Sequence, residues 1–164
     1  MLRYHARVPG HDGLIAYVGS VHDRTYDAVA LIPDELVDWR PRAGAFSFGE
    51  LVAHIAASRD LYARLILGEQ PRYEGHELPP RAGWNFIRRL AEHSSTEAVR
   101  RLEGADLEQE VTGLEGQPVP AWRLVIAGLI EHETHHRSQL CGYLSQQGIA
   151  PPALFGLYEE DLPR

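Results

Sequence analysis

The stretch from Trp122 to Tyr143 constrains the fold more than any other part of the chain. Its apolar positions, Trp122, Val125, Leu129, Leu140 and Tyr143, recur at the spacing of one helical face, and His132 and His136 fill the gap in that stripe. A buried imidazole needs partners for its ring nitrogens, because an unpaired buried polar group costs roughly 1–3 kcal/mol. Two histidines one turn apart, about 6 Å along the axis, can meet that need with a single divalent cation. The alternative is a pair of core histidines hydrogen-bonded to neighbouring helices.

The rest of the chain supplies helices for this one to pack on. Leu14, Val18, Val21, Ala28 and Ile32 stripe a first helix that Pro33 closes, after an irregular lead-in over residues 1–12. A connection with one helical turn around Glu35 follows. Ser47-Phe48-Gly49-Glu50 is a capping box, with Phe46 and Leu51 placed as its hydrophobic staple. The helix it starts carries Leu51, His54, Ser58, Leu61 and Leu65 on one face and closes at Gly68 and Pro71. Residues 69–83 are rich in Pro, Gly and charge and form a crossover loop. The third helix turns Trp84, Ile87, Ala91, Ala98 and Leu102 inward, and Ser94-Ser95-Thr96-Glu97 offers a second capping box where it could break and restart. Residues 104–118 connect to the fourth helix, which runs from Pro120 to Gly148 ahead of Pro151-Pro152. The tail from Ala153 to Arg164 carries at most a short turn at its end. No stretch alternates as a strand does, and no repeat is present. The pattern predicts an all-α, single-domain four-helix bundle with a long crossover connection.

Charge and composition narrow the function. The formal net charge of the 164 residues is −7, broken only by Arg88-Arg89 and Arg100-Arg101, which disfavours nucleic-acid binding. The single cysteine, Cys141, allows no intrachain disulfide and fits a reducing compartment. No signal-peptide core and no run of ~20 apolar residues are present, so the expectation is a cytoplasmic protein with no membrane span.

In a bundle, His54 on the second helix converges with His132 and His136 on the fourth. Three protein ligands with an open fourth position characterise catalytic rather than structural zinc sites, although imidazole also suits nickel, copper and iron. His132-Glu133-Thr134-His135-His136 also fits the H-E-x-x-H pattern of zinc proteases, with Glu133 as general base. That reading needs a downstream third ligand, for which Glu159 and Glu160 are candidates by distance, and a strand-bearing catalytic domain that this sequence does not suggest.

The run from His132 to Leu140 resembles the H-x-x-x-H-R-x-Q signature of the DinB/YfiT-like metalloenzymes. Trp39-Arg40-Pro41, Phe46 to Glu50, and Leu51-Val52-Ala53-His54 resemble that family's approach to its second helix. Gly148 to Pro152 and Phe155-Gly156-Leu157 resemble its C-terminal ending, so only residues 1–12 and 69–83 go unmatched. The resemblance implies a four-helix bundle, often a homodimer, that binds nickel or zinc through His54, His132 and His136. It further implies a small-molecule substrate and transfer or isomerisation chemistry with a low-molecular-weight thiol such as bacillithiol or mycothiol.

Other residues carry blander expectations. His135 points about 100° from His136 and reads as supporting, dimer-facing or exposed rather than ligating. Arg137 and Gln139 read as packing and interhelical hydrogen bonds, Cys141 as an inert core thiol, and His22 as a partly buried histidine. His5, His11, His76 and His93 have no assigned role. Tyr62, Trp84 and Tyr143 are candidates for the pocket wall.

Overall fold

The computed structural model describes residues 10–156 apart from Arg81. The expected turn near the end of the tail, His5, and the protease candidates Glu159 and Glu160 all lie outside the described residues. Four helices form the body: α1 (His11–Ala30), α2 (Phe48–Ile66), α3 (Trp84–Leu102) and α4, which comprises Ala121–Leu124, Val125–Glu131 and His132–Gln146 end to end. The predicted turn around Glu35 is a 3-10 turn over Asp34–Leu36.

Local chemistry explains most of the boundaries. The Ser47 hydroxyl accepts from the Glu50 amide at 3.2 Å while the Ser47 amide donates to Glu50 Oε2 at 2.7 Å, so the capping box forms in full. At the far end of α2, the amides of Gly68 and Glu69 reach back to Leu65 and Arg64 at 3.0 and 2.9 Å. Gly68 sits at φ 69°, the left-handed conformation that this Schellman ending requires. The first helix begins at His11, inside the expected lead-in, with Asp12 in its first turn where the helix dipole favours an acid.

Three expectations need correction. The second capping box in α3 does not form: Ser94 and Thr96 bond back to the carbonyls of Ala91 and Glu92 at 3.0 and 3.1 Å, and the helix runs on unbroken. The connection before α4 holds a small antiparallel hairpin, β1 (Glu110–Thr112) with β2 (Pro118–Pro120). Each strand has three residues, too few to display an alternation. The fourth helix is not uniformly α-helical, since Val125–Glu131 is wound as a π-helix directly before the first histidine of the motif. There Gly128 lets the Tyr62 ring lie against the α4 backbone, where a Cβ would meet ring atoms at 2.5 Å and closer. Short π segments inside α-helices are frequently found at functional sites.

The core has two apolar clusters separated by a polar layer. One holds Val29, Ile32, Phe48, Leu51, Ile55, Trp84, Ile87, Leu140 and Leu144, and the other Ile15, Val18, Leu65, Ile66, Leu102, Val125 and Leu129. Between them in sequence on each helix lie the polar residues His22 and Thr25 on α1, Ser58 and Arg59 on α2, Ser94 and Ser95 on α3, and Glu133 and Arg137 on α4. No helix of the described residues is long and apolar enough to cross a membrane.

Candidate metal centre

The capping box fixes where α2 begins, which places His54 two turns into it; the π segment precedes His132 on α4. His54, His132 and His136 then converge, with Nε2–Nε2 separations of 3.3, 3.0 and 3.1 Å. Among the described residues this is the one set of three His, Cys, Asp or Glu ligand atoms within 4.8 Å of one another. A tetrahedral ion with bonds of 2.0–2.1 Å separates its ligand nitrogens by about 3.3 Å. The cluster is therefore close to the right size for a divalent cation.

The opposite ring nitrogens support the same reading. Gln139 Oε1 lies 2.8 Å from His136 Nδ1, and an amide oxygen can only accept. His136 Nδ1 therefore carries the proton, and Nε2 presents a bare lone pair to its two neighbours. The Gln139 amide is turned this way because its nitrogen donates to His135 Nε2 at 3.2 Å. Tyr73, from the crossover loop, places its hydroxyl 2.6 Å from His54 Nδ1. Partners on the far nitrogen fix tautomer and ring orientation in metal-binding histidines. A bare His136 lone pair facing two further imidazole nitrogens at about 3 Å is a donor set that fits a divalent ion.

Burial keeps the imidazoles neutral. Loss of hydration, reinforced by the neighbouring histidines, pushes His54 down to about 4 and His132 down to about 4, and lowers His136 as well. Neutral imidazole is the form that ligates a metal.

Glu133 has a different job from the one a protease would give it. It is buried and faces the polar layer, where Arg59 Nη2 and Nε donate to its two oxygens at 2.6 and 2.8 Å. His22 Nε2 lies 3.1 Å from the same carboxylate and its Nδ1 pairs with the Ser95 hydroxyl at 3.2 Å. Those contacts place His22 beside Glu133 and not in the triad, and burial, with the Arg59 charge adding to it, pushes its pKa down to about 3. Arg137 Nη1 donates to the Val21 carbonyl at 3.1 Å, the interhelical role expected of it.

The remaining candidates sort by position. The Tyr62 ring packs on His132 with centroids 5.8 Å apart. Tyr143 borders an open cavity of about 360 Å³ together with Arg42, Phe46, His136 and Gln139. Trp84 is buried in the core instead. Burial raises the Cys141 thiol above its ordinary value, which favours the thiol over the nucleophilic thiolate. The sequence reading missed Arg59, Tyr73 and His76. The last packs against Phe46 with ring centroids 4.5 Å apart, and the Phe46 centroid in turn lies 5.2 Å from that of His54. A tyrosine and a histidine in a polar loop carry no pattern that marks them. Arg59 could have been found by asking what would neutralise Glu133 once that residue turned inward.

Helical bundle and histidine cluster together define the class: a four-helix protein with a three-histidine cluster spaced to hold a metal ion. More narrowly, the chain belongs to the DinB family, whose model matches residues 8–163. No curated protein matches the sequence. The fold is similar to a DinB-like protein from Bacillus cereus ATCC 10987, with a TM-score of 0.74 at 20% identity over 90% of this chain and 97% of that one. YfiT from Bacillus subtilis, described as a probable metal-dependent hydrolase with an unusual four-helix bundle topology, is similar at a TM-score of 0.66 and 14% identity, over 91% and 95% of the two chains. A mycothiol-dependent maleylpyruvate isomerase is similar at 0.59 and 15%, over 94% of this chain and 68% of that one.

Proposed function

We propose that this chain is a divalent-metal-dependent enzyme that joins a low-molecular-weight thiol to a small electrophile, or isomerises a substrate with such a thiol. His54, His132 and His136 would hold the ion, with nickel and zinc as the metals to test first. The observation that carries the reading is the convergence of three Nε2 atoms at 3.0–3.3 Å with two of the rings held from behind by Gln139 and Tyr73. When bound, a divalent ion supplies Lewis acidity that ionises a thiol or water near neutral pH.

The chain's own residues define the rest. Glu133 is committed to Arg59 in the core, so the acid of the motif is not available as a general base. The thiol proton then leaves to solvent; in a transfer the sulfur lone pair forms the new C–S bond as the leaving group departs with its bonding pair, and in an isomerisation the sulfur adds to the substrate, the adduct rearranges, and the C–S bond breaks again to return the thiol. The cavity bordered by Arg42, Phe46 and Tyr143 adjoins His136 and offers space for the electrophile. The isomerase of like fold is itself mycothiol-dependent, which supports testing thiols before other co-substrates.

The test supplies metal-loaded protein with bacillithiol, mycothiol, glutathione or cysteine and a panel of electrophiles, beside His54→Ala. Turnover that requires a thiol and disappears in the variant is the expected result. Peptide cleavage or other hydrolysis without a thiol would replace this reading with a hydrolase. Metal uptake with no turnover of either kind would leave a binding protein.

A further inference from the structure

A metal site shared between two helices depends on how far one helix is slid along the other. His54 belongs to α2 and the other two histidines to α4, so a one-turn slip of about 5.4 Å would take the site apart. Hydrophobic burial is itself non-directional, and apart from the seat of the Tyr62 ring on Gly128 the apolar interface above and below the site specifies that register weakly. Directional contacts between the same two helices are therefore the features to look for.

Arg59 and Glu133 supply one. Arg59 lies five residues beyond His54 on α2, about 7.5 Å along the axis, and Glu133 directly follows His132. The guanidinium meets the carboxylate through two hydrogen bonds of 2.6 and 2.8 Å, a planar fork that tolerates little sliding. The remaining Arg59 nitrogen, Nη1, is tied to α3 through the Ala91 carbonyl at 2.7 Å and the Ser94 hydroxyl at 3.0 Å. On the other side of the carboxylate stands His22 of α1 at 3.1 Å. One buried layer therefore references all four helices to one another. A buried ion pair contributes little net stability compared with apolar residues of similar size, and its best-attested use is to set register.

We infer that Arg59 and Glu133 are positioning residues that hold α2 and α4 in the register that closes the three-histidine site. The inference rests on the triad being a metal centre. Neither residue touches the triad nitrogens; both act through the helices that carry them.

The informative variant is the double change Arg59→Met/Glu133→Leu, which removes the fork while keeping the layer filled and dry. If the pair sets register, this variant keeps the helical circular dichroism and cooperative unfolding of the wild type, binds zinc or nickel about 10- to 100-fold more weakly, and gives an altered cobalt absorption spectrum. Should it fail to fold, Arg59→Lys reads the same effect, since it keeps the charge without the fork; there too, affinity falls and the cobalt spectrum changes. A folded form of either variant with wild-type metal affinity and cobalt spectrum overturns the inference. Failure of wild-type protein to take up any of the three metals overturns the metal reading and this inference together, and that result shows in the wild type, not the variants.

Discussion

Replacing Gly128 by alanine sets two effects against each other, and the structure says which is larger. Alanine in a helix interior is favoured over glycine by about 0.5–1 kcal/mol. A Cβ at this position, however, would lie 2.5 Å from Tyr62 Cε1 and closer still to Cγ and Cδ1. Carbon atoms pack best at about 3.5–4.0 Å, so the ring has to move by about 1 Å or more. Overpacking of that kind costs about 1–3 kcal/mol, and with the alanine preference subtracted the net expectation is destabilisation by about 0–2.5 kcal/mol. Because the Tyr62 ring packs on His132, metal affinity should fall as well. Urea unfolding of metal-free protein measures the first effect and a competitive chelator titration the second. In a Tyr62→Ala background the clash is gone, and the same glycine-to-alanine change should become stabilising. A Gly128→Ala protein more stable than the wild type would refute the argument that this glycine exists to admit the ring.

Two further perturbations follow from the same structure. His22 is neutral when folded, with its pKa pushed down from 6.5 to about 3 chiefly by burial, so the unfolded chain binds a proton that the folded one refuses as pH falls through that window. Its contribution, on the order of 5 kcal/mol at most, is intact above pH 6.5 and lost progressively towards pH 3, so His22→Gln should show a shallower fall in urea midpoint between pH 7 and pH 4 than the wild type. Ser47→Ala removes one half of the capping box and should lower stability by about 1 kcal/mol by chemical denaturation, with metal binding of the folded protein changed little.

Much of this molecule was legible before any coordinates. The capping box, the glycine that ends α2, and the stripes of the first three helices carry local, short-range signals, and each appears in the structure where the sequence put it. The three histidines could be grouped because two of them lay one turn apart and the third interrupted a stripe of leucines. The polar layer was not legible for the opposite reason. Glu133 and Arg137 are buried on α4 while His132 sits at the edge of the buried face, so the apolar stripe drawn through the histidines was rotated from the true one. Pattern reading assigns charged residues to solvent, and a charge satisfied by a partner from another helix breaks that rule without leaving a mark in its own segment. Tyr73 and the π segment escaped similarly. One depends on where a loop folds back, and the other on the fit between Gly128 and an aromatic ring from α2.

The central claim is tested most directly by counting metal ions per chain. Protein purified without chelator, loaded with zinc or nickel and freed of excess, should carry one ion per chain by elemental analysis. His54→Ala, His132→Ala and His136→Ala should each lose most of that ion, whereas His135→Ala should retain it, because His135 meets the site through Gln139 and the His136 ring and offers no nitrogen to the cluster. Full occupancy in any of the three ligand variants, or loss in His135→Ala equal to theirs, would contradict the account.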